Sequence, residues 1–242
     1  MSRKNILIIL VTSLTLFGFV VFGSYRTYNT VDERVLVAGD VGSQKDSDSD
    51  SISSGTLYIS RESESDLRVV ESVTEKNIEL LLMDRIRTDL YRNNSRICSE
   101  LVEEIVEVFF YLTDYYGYDP VVMYSWVKQE STWRIRVVSS KGAYGLTQIL
   151  IPTGREVNKW MGIEWYGEKT LTDPIKNLHL GFAYFAWLRD IFSSDHTAFT
   201  AYFWGIGNVR KSGMVISKYS NSIMNIADKV RISLTMVSLG DY

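Results

Sequence analysis

Residues 119–149 read DPVVMYSWVKQESTWRIRVVSSKGAYGLTQI, and this stretch predicts a helix followed by a loop that contains two glycines. Asp119 can cap free backbone N–H groups and Pro120 supplies a first-turn φ, so a helix should begin here and end near Ser131. Apolar side chains recur at helical spacing along one face of this helix, and one carboxylate shares that face. The face consists of Met123, Trp126, Val127 and Glu130.

Glu130 is therefore a candidate general acid. Desolvation disfavours its ionised form, and so does the negative end of the helix dipole, so both should raise its pKa. A carboxylic acid that stays protonated near neutral pH can donate a proton to a leaving oxygen. The alternative is that Glu130 turns outward at a fraying helix end and is an ordinary surface residue. In the loop that follows, Gly142 and Gly145 would let a ligand lie against the main chain.

Three ordered motifs resemble the signature of the lytic transglycosylases, which are enzymes with a lysozyme-like catalytic domain that cleave peptidoglycan. The first motif is Q-E-S at 129–131 together with S-x-x-G-A-x-G-L-x-Q at 139–148. The second, D-P-I-K-N-L-H-L-G-F-A-Y-F at 173–185, is similar to the family's D-P-x-x-N-I-x-x-G-x-x-Y-L. The third, A-Y-F-W-G-I-G-N-V at 201–209, is similar to A-Y-N-x-G-x-G-x-V. The resemblance covers about residues 105–220.

The resemblance implies a fold and a set of site residues. The fold would be all-α, a lysozyme-like helical catalytic domain of the goose-type or SLT class. Glu130 would be the catalytic acid, oriented by Ser139 and Tyr202. Gln148 would hold saccharide or N-acetyl groups, and the two loop glycines would admit the glycan. The substrate-binding positions implied are Ser139, Gly142, Gly145, Gln148 and Tyr202.

The chain departs from the family pattern at four positions near this site. Thr147 and Leu150 stand where the family usually has methionine, so saccharide contacts should differ there. Phe203 replaces the asparagine that commonly follows the motif tyrosine, which removes a polar side chain near the site. The usual proline after the glutamine motif is displaced to Pro152. None of these changes removes the acid.

The N-terminal residues predict the location. Residues 6–23 are uncharged and apolar, and Arg3 and Lys4 precede them. Residues 1–30 are expected to form an uncleaved anchor that crosses the inner membrane once and leaves the rest of the chain in the periplasm. The alternative is a cleaved signal peptide and a secreted protein. Residues 31–66 contain the polar tract 42–55 and are expected to form a flexible linker.

The remaining segments are predicted to be helical. Residues 67–96 form a helical extension, either packed on the catalytic domain or binding a partner, and residues 97–242 form that domain. Helix starts are expected near residues 120, 153 and 174, because all three prolines precede helical patterns. One helix is expected at 97–116 and another at 208–237. Residues 161–172 are expected to form a loop or a short hairpin.

Composition argues against other classes of function. The net charge of −3 provides no basic footprint for nucleic acid. A single cysteine, Cys98, excludes a disulfide framework and a cysteine-based zinc site, and no nucleotide or zinc-helix motif occurs. No cofactor or metal is expected.

Three functions stay open. The first is a membrane-tethered lytic transglycosylase that acts on peptidoglycan strands, with an envelope-spanning machine as a candidate partner. The second is a hydrolytic muramidase on the same fold. The third is a non-catalytic module that binds the cell wall or acts as a scaffold.

Overall fold

The computed structural model describes residues 64–239, with side chains from residue 76 onward, and this part of the chain forms nine helices and one short hairpin. In chain order the elements are α1 Glu64–Asn93, α2 Ser99–Tyr116, α3 Pro120–Ser131, β1 Ala143–Tyr144, β2 Ile149–Leu150, α4 Ile151–Met161, α5 Glu168–Thr172, α6 Pro174–Phe192, α7 Asp195–Trp204, α8 Ile206–Ser212 and α9 Lys218–Ser238. The predominantly helical fold agrees with the prediction.

Two aspartate–proline pairs begin the helices that carry the site. The Asp119 carboxylate accepts hydrogen bonds from the first free N–H groups of α3, and Asp173 does the same for α6. Both starts were predicted from the sequence. The start predicted near residue 153 lies at Ile151, with Pro152 in the first turn of α4.

Aromatic side chains on α2, α3 and α6 fill the centre of the domain. Trp126 on α3 is fully buried and packs edge-on against Phe182 at 5.6 Å between ring centroids. The buried side chains Leu82, Ile86 and Leu90 of α1 belong to the same core. The helical extension was expected either to pack on the catalytic domain or to bind a partner. The described side chains of α1 pack on the domain. Helix α9 packs along α3 and so reaches the end of α3 that carries Glu130.

The hairpin and the last helices differ from expectation. The only strands in the described residues pair Ala143 with Leu150 and Tyr144 with Ile149, so the hairpin lies in the glycine loop and not at 161–172. Residues 168–172 instead form α5. The single helix predicted at 208–237 is interrupted, because α8 ends at Gly213 with φ of 67°. Helix α9 begins anew after a capping box at Ser217.

The expected anchor at residues 1–30 and nearly all of the expected linker at 31–66 lie outside the described residues. Within residues 64–239, no helix combines the length and the apolar character needed to cross a bilayer.

Candidate active site

Glu130 lies in the last turn of α3 and is partly buried. Burial raises the pKa of its carboxyl from 4.5 to about 7, so the predicted rise is confirmed. The hydroxyl of Tyr219 on α9 donates a hydrogen bond to Glu130 Oε1 and lowers this pKa in part. The indole N–H of Trp126 also lowers it, although its geometry falls short of a full hydrogen bond. Tyr219 is thus the principal donor to the carboxylate.

Sequence reasoning missed Tyr219. This residue lies 89 positions from Glu130 in the chain, and only the packing of α9 on α3 brings the two together. Burial, together with the charge of Glu130, raises the pKa of the Tyr219 phenol well above 10.0. The hydroxyl therefore keeps its proton at neutral pH and can donate to an ionised carboxylate. No local pattern around residue 219 indicated this role.

Tyr202, the tyrosine expected to orient Glu130, makes a different hydrogen bond. Its hydroxyl donates to the backbone carbonyl of Thr147 at 2.7 Å. The ring packs edge-on against Trp126 at 5.1 Å, and this contact directs the hydroxyl towards the glycine loop. The charge of Glu130 contributes to raising the pKa of the phenol, so Tyr202 lies near the carboxylate without bonding to it. The expected contact is therefore corrected: Tyr202 holds the loop, and Tyr219 holds Glu130.

Asn177, from the second sequence motif, fixes this loop to α6. The side chain is fully buried, and its Oδ1 accepts from Thr147 N and from Thr147 Oγ1, both at 2.8 Å. Its Nδ2 donates to the carbonyl groups of Tyr144 and Leu171, each at 2.9 Å. The buried amide of Asn177 thus provides hydrogen-bond partners for polar groups of β1, of the glycine loop and of α5. Buried polar groups need such partners to offset the loss of water.

The two loop glycines serve different purposes. Both have φ of 73°, a left-handed conformation that favours glycine. A Cβ on Gly145 would lie 2.5 Å from Asn177 Nδ2 and 2.8 Å from the Leu171 carbonyl oxygen. Close internal packing therefore requires Gly145, and its expected role in admitting the glycan stays a prediction. A Cβ on Gly142 would meet open space, so this glycine is the one that a ligand can reach.

Ser139 and Gln148 make hydrogen bonds within the loop. Ser139 Oγ accepts a hydrogen bond from Ala143 N at 3.0 Å and closes the turn before β1. This bond lies within the loop and does not orient Glu130. Gln148 Nε2 donates to the Gly145 carbonyl at 2.9 Å and more weakly to that of Val137 at 3.3 Å. The side chain of Gln148 is partly exposed, and its carbonyl oxygen stays available to a ligand.

The replacement of the family's asparagine by Phe203 has a clear structural consequence. The Phe203 ring stacks on Tyr219 with centroids 4.7 Å apart and 20° between planes, and 51% of the residue is exposed. In the glycine loop, Lys141 places Nζ 5.8 Å from the centre of the Phe203 ring. An apolar ring therefore covers the tyrosine that donates to Glu130.

Thr147, another departure, does not face a ligand. The residue is fully buried, and its side chain packs where a Cβ on Gly181 would stand, only 2.5 Å from Thr147 Oγ1. The expectation that Thr147 changes a saccharide contact is therefore wrong, because its side chain contacts α6. Leu150 is exposed and stays a candidate for such a contact.

Among the side chains that the structure describes, from residue 76 to 239, no group of three or more histidine, cysteine or acidic residues is arranged to hold a metal ion. The arrangement around Glu130 instead suits proton transfer. A partly buried carboxyl with a pKa near neutrality can donate a proton, and the Tyr219 hydroxyl can stabilise the carboxylate that remains.

Residues 107–223 match the family model described as Transglycosylase SLT domain. Among solved structures, an inactive mutant of the lytic transglycosylase Slt from Pseudomonas aeruginosa is 22% identical, with 55% of this chain and 23% of that chain covered and a TM-score of 0.42. The 70 kDa soluble lytic transglycosylase SLT70 from Escherichia coli is 23% identical, with 56% and 24% covered and a TM-score of 0.43. A complex of the 70-kDa soluble lytic transglycosylase with bulgecin A is 22% identical, with 52% and 24% covered and a TM-score of 0.45.

The chain spans about a quarter of the length of these solved proteins, covering 23% to 24% of each. A comparison with curated proteins gave no match.

Proposed function

We propose that the chain, whose residues 107–223 match the family model described as Transglycosylase SLT domain, is a peptidoglycan lytic transglycosylase in which Glu130 acts first as acid and then as base. The observation that carries the proposal is the burial of the Glu130 carboxyl at the end of α3, where it accepts a hydrogen bond from Tyr219 and where burial raises its pKa to about 7. Near neutral pH a large fraction of this group is protonated, as a general acid requires.

The proposed reaction uses one carboxyl group twice. Glu130 protonates the glycosidic oxygen between N-acetylmuramic acid and N-acetylglucosamine as the β-1,4 bond breaks. The acetamido oxygen of the muramic residue stabilises the positive charge that develops at C1. The carboxylate of Glu130, which accepts a hydrogen bond from Tyr219, then removes the proton from the C6 hydroxyl. The C6 oxygen bonds to C1, so the product is a 1,6-anhydro sugar and no water is consumed.

A single acid favours this route over hydrolysis. An ordinary glycosidase places a second carboxylate within roughly 5 to 9.5 Å of the first. Among the described residues, no other carboxylate is a cause of the Glu130 pKa shift. Asp173, a tempting second carboxylate, accepts hydrogen bonds from Ile175 N and Lys176 N as the N-cap of α6. The contacts of Glu130 in the described residues therefore give the muramidase alternative no support.

The substrate-binding residues are proposed in two groups. Gly142 and Gln148 would contact the glycan, because a Cβ on Gly142 would meet open space and the Gln148 carbonyl oxygen is available. Ser139, Gly145 and Tyr202 would act by shaping the loop, since their described contacts lie within it or anchor it.

The proposal extends to tethering on sequence grounds alone. Residues 1–30 would anchor the chain in the inner membrane, 31–66 would be a spacer, 67–96 a helical extension and 97–242 the catalytic domain in the periplasm. An envelope-spanning assembly would be a suitable partner for such a tethered enzyme. Protease accessibility of the C-terminus in spheroplasts tests this arrangement, and a cytoplasmic C-terminus would contradict it.

The experiment that tests the activity is digestion of purified sacculi. We expect the full-length chain to release soluble fragments with anhydro ends, and Glu130→Gln to lose this release while remaining folded. Glu156→Gln, an exposed change on α4, is the matched control and should keep the parent rate. Fragments with reducing ends would support the muramidase alternative. If Glu130→Gln released soluble fragments as fast as the parent, Glu130 would not be the catalytic acid. The chain would then be non-catalytic and the fragments would come from a contaminating enzyme.

A further inference from the structure

We propose that residues 210–218, which run from the end of α8 to the first residue of α9, form a surface that docks on an anionic lipid bilayer. Three consecutive aliphatic side chains lie in water at the tip of this segment: Met214 is 38% exposed, Val215 56% and Ile216 54%. Adjacent exposed aliphatic side chains are candidates for an interaction site, because apolar surface is stabilised when it leaves water. The inference does not depend on the role of Glu130.

Basic side chains flank the aliphatic tip on both sides. Arg210 and Lys211 precede it and Lys218 follows it, and all three are exposed. Residues 196–227 contain no aspartate or glutamate, although the whole chain has 29 acidic residues and a net charge of −3. The segment is therefore locally cationic within an acidic protein. Apolar side chains between cations match an anionic membrane surface, where the aliphatic groups enter the interface and the cations meet lipid phosphates.

A buried hydroxyl network fixes the base of this segment. Thr200 on α7 donates to Ser217 Oγ at 3.0 Å, and Ser220 N donates to the same oxygen at 3.1 Å. Ser217 N in turn donates to Ser220 Oγ at 3.0 Å. Because both serines and Thr200 are buried, the aliphatic tip is held outward by ordered structure. The mechanism at Glu130 does not use this network, which instead explains how three aliphatic side chains stay exposed.

The chemistry of the tip favours lipid over glycan. Saccharide contacts need hydrogen-bonding groups or aromatic faces, and Met214, Val215 and Ile216 provide neither. The position of the segment gives docking a consequence, because Lys218 directly precedes Tyr219, the donor to Glu130. A bilayer bound here would hold the proposed active site beside the membrane surface.

Site-specific fluorescence on the full-length chain tests the proposal. The chain has one cysteine, the exposed Cys98, so a Cys98→Ser background allows a single label at Val215→Cys or, as a control, at Glu156→Cys on α4. The labelled chain is mixed with vesicles that carry brominated lipids, which quench a dye in contact with acyl chains. One set of vesicles contains phosphatidylcholine alone and the other an equal mixture with phosphatidylglycerol.

We expect strong quenching at 215 in the anionic vesicles, weak quenching in the neutral ones and little at 156 in either. Replacing Arg210 and Lys211 by glutamine should weaken this contact about 25-fold, since each basic side chain near an anionic surface is worth roughly 1 kcal/mol, or about fivefold. The same double change at Arg155 and Lys159 of α4 should have no effect. Unfolding curves matching the parent show that both variants fold.

Three results would overturn the proposal. The first is the absence of quenching at 215, and the second is equal quenching in neutral and anionic vesicles. The third is a label that responds to purified sacculi or to chain concentration but not to lipid, which would assign the segment to glycan or to a second copy of the chain. The label reports lipid contact at residue 215 itself. The result can therefore be read even if residues 1–30 do not anchor the chain in a membrane.

Discussion

Replacing Glu130 by glutamine should stabilise the folded chain at high pH and leave its stability unchanged at low pH. The folded-state pKa of Glu130 is about 7, whereas the ordinary value is 4.5. Between these values the folded chain binds the proton more tightly than the unfolded chain does. The stability of the parent therefore falls as pH rises from 4.5 through 7, because an ionised carboxylate must then be buried. Glutamine mimics the protonated form at every pH.

The size of the effect follows from the shift. A change of about 2.5 units at roughly 1.36 kcal/mol per unit corresponds to about 3 kcal/mol. We therefore expect Glu130→Gln to be more stable than the parent by about 3 kcal/mol well above pH 7, with the difference vanishing below pH 4.5. Urea unfolding of both proteins across this range, in the same detergent, measures the difference directly. Glu156→Gln controls for the loss of one surface charge.

A difference in unfolding free energy that is constant with pH would refute this reasoning, because only a titrating group can make it change. Destabilisation of the glutamine variant at high pH would also refute it. Either result would mean that the carboxylate is well solvated or well paired in the folded chain, and that Glu130 is ionised at neutral pH.

Four further changes test the contacts around Glu130 and in the neighbouring loop. Tyr219→Phe removes the hydrogen bond that lowers the Glu130 pKa, so the pH profile of sacculus digestion should move upward by about one unit, as loss of a bond to a charged group implies. Phe203→Asn removes the stacked ring, and urea unfolding should show a loss of about 1 kcal/mol. Gly145→Ala should destabilise by more than 2 kcal/mol because its Cβ clashes with buried groups, whereas Gly142→Ala should cost only about 1 kcal/mol for its positive φ. Equal costs at the two glycines would contradict the packing described for the loop.

Local chemistry made several features predictable from the sequence. Asp119 and Asp173 cap the helices that they precede. An aspartate side chain accepts hydrogen bonds from the free N–H groups of the first turn, and the proline that follows has the φ of a first helical residue. The raised pKa of Glu130 followed from its spacing relative to Trp126 and Val127, which placed it on the apolar face of α3. These inferences depend only on residues within a turn or two of each other.

The features that sequence reasoning missed depend on contacts between distant segments. Tyr219 reaches Glu130 only because α9 packs along α3, and Tyr202 is directed to Thr147 by its packing on Trp126. The need for glycine at 145 arises from Asn177 on α6, since a Cβ at that position would overlap the amide. A motif records which residues occur together, but it does not give the direction of each side chain.

The most direct test of the central claim follows the source of oxygen in the product. Purified sacculi are digested in heavy-oxygen water by the parent chain, with Glu130→Gln as the inactive control, and the released fragments are weighed by mass spectrometry. If Glu130 is the only acid and the C6 hydroxyl closes onto C1, fragments will carry anhydro ends with no heavy oxygen. Incorporation of one heavy oxygen at each new end would show that water attacks C1 and would contradict the account.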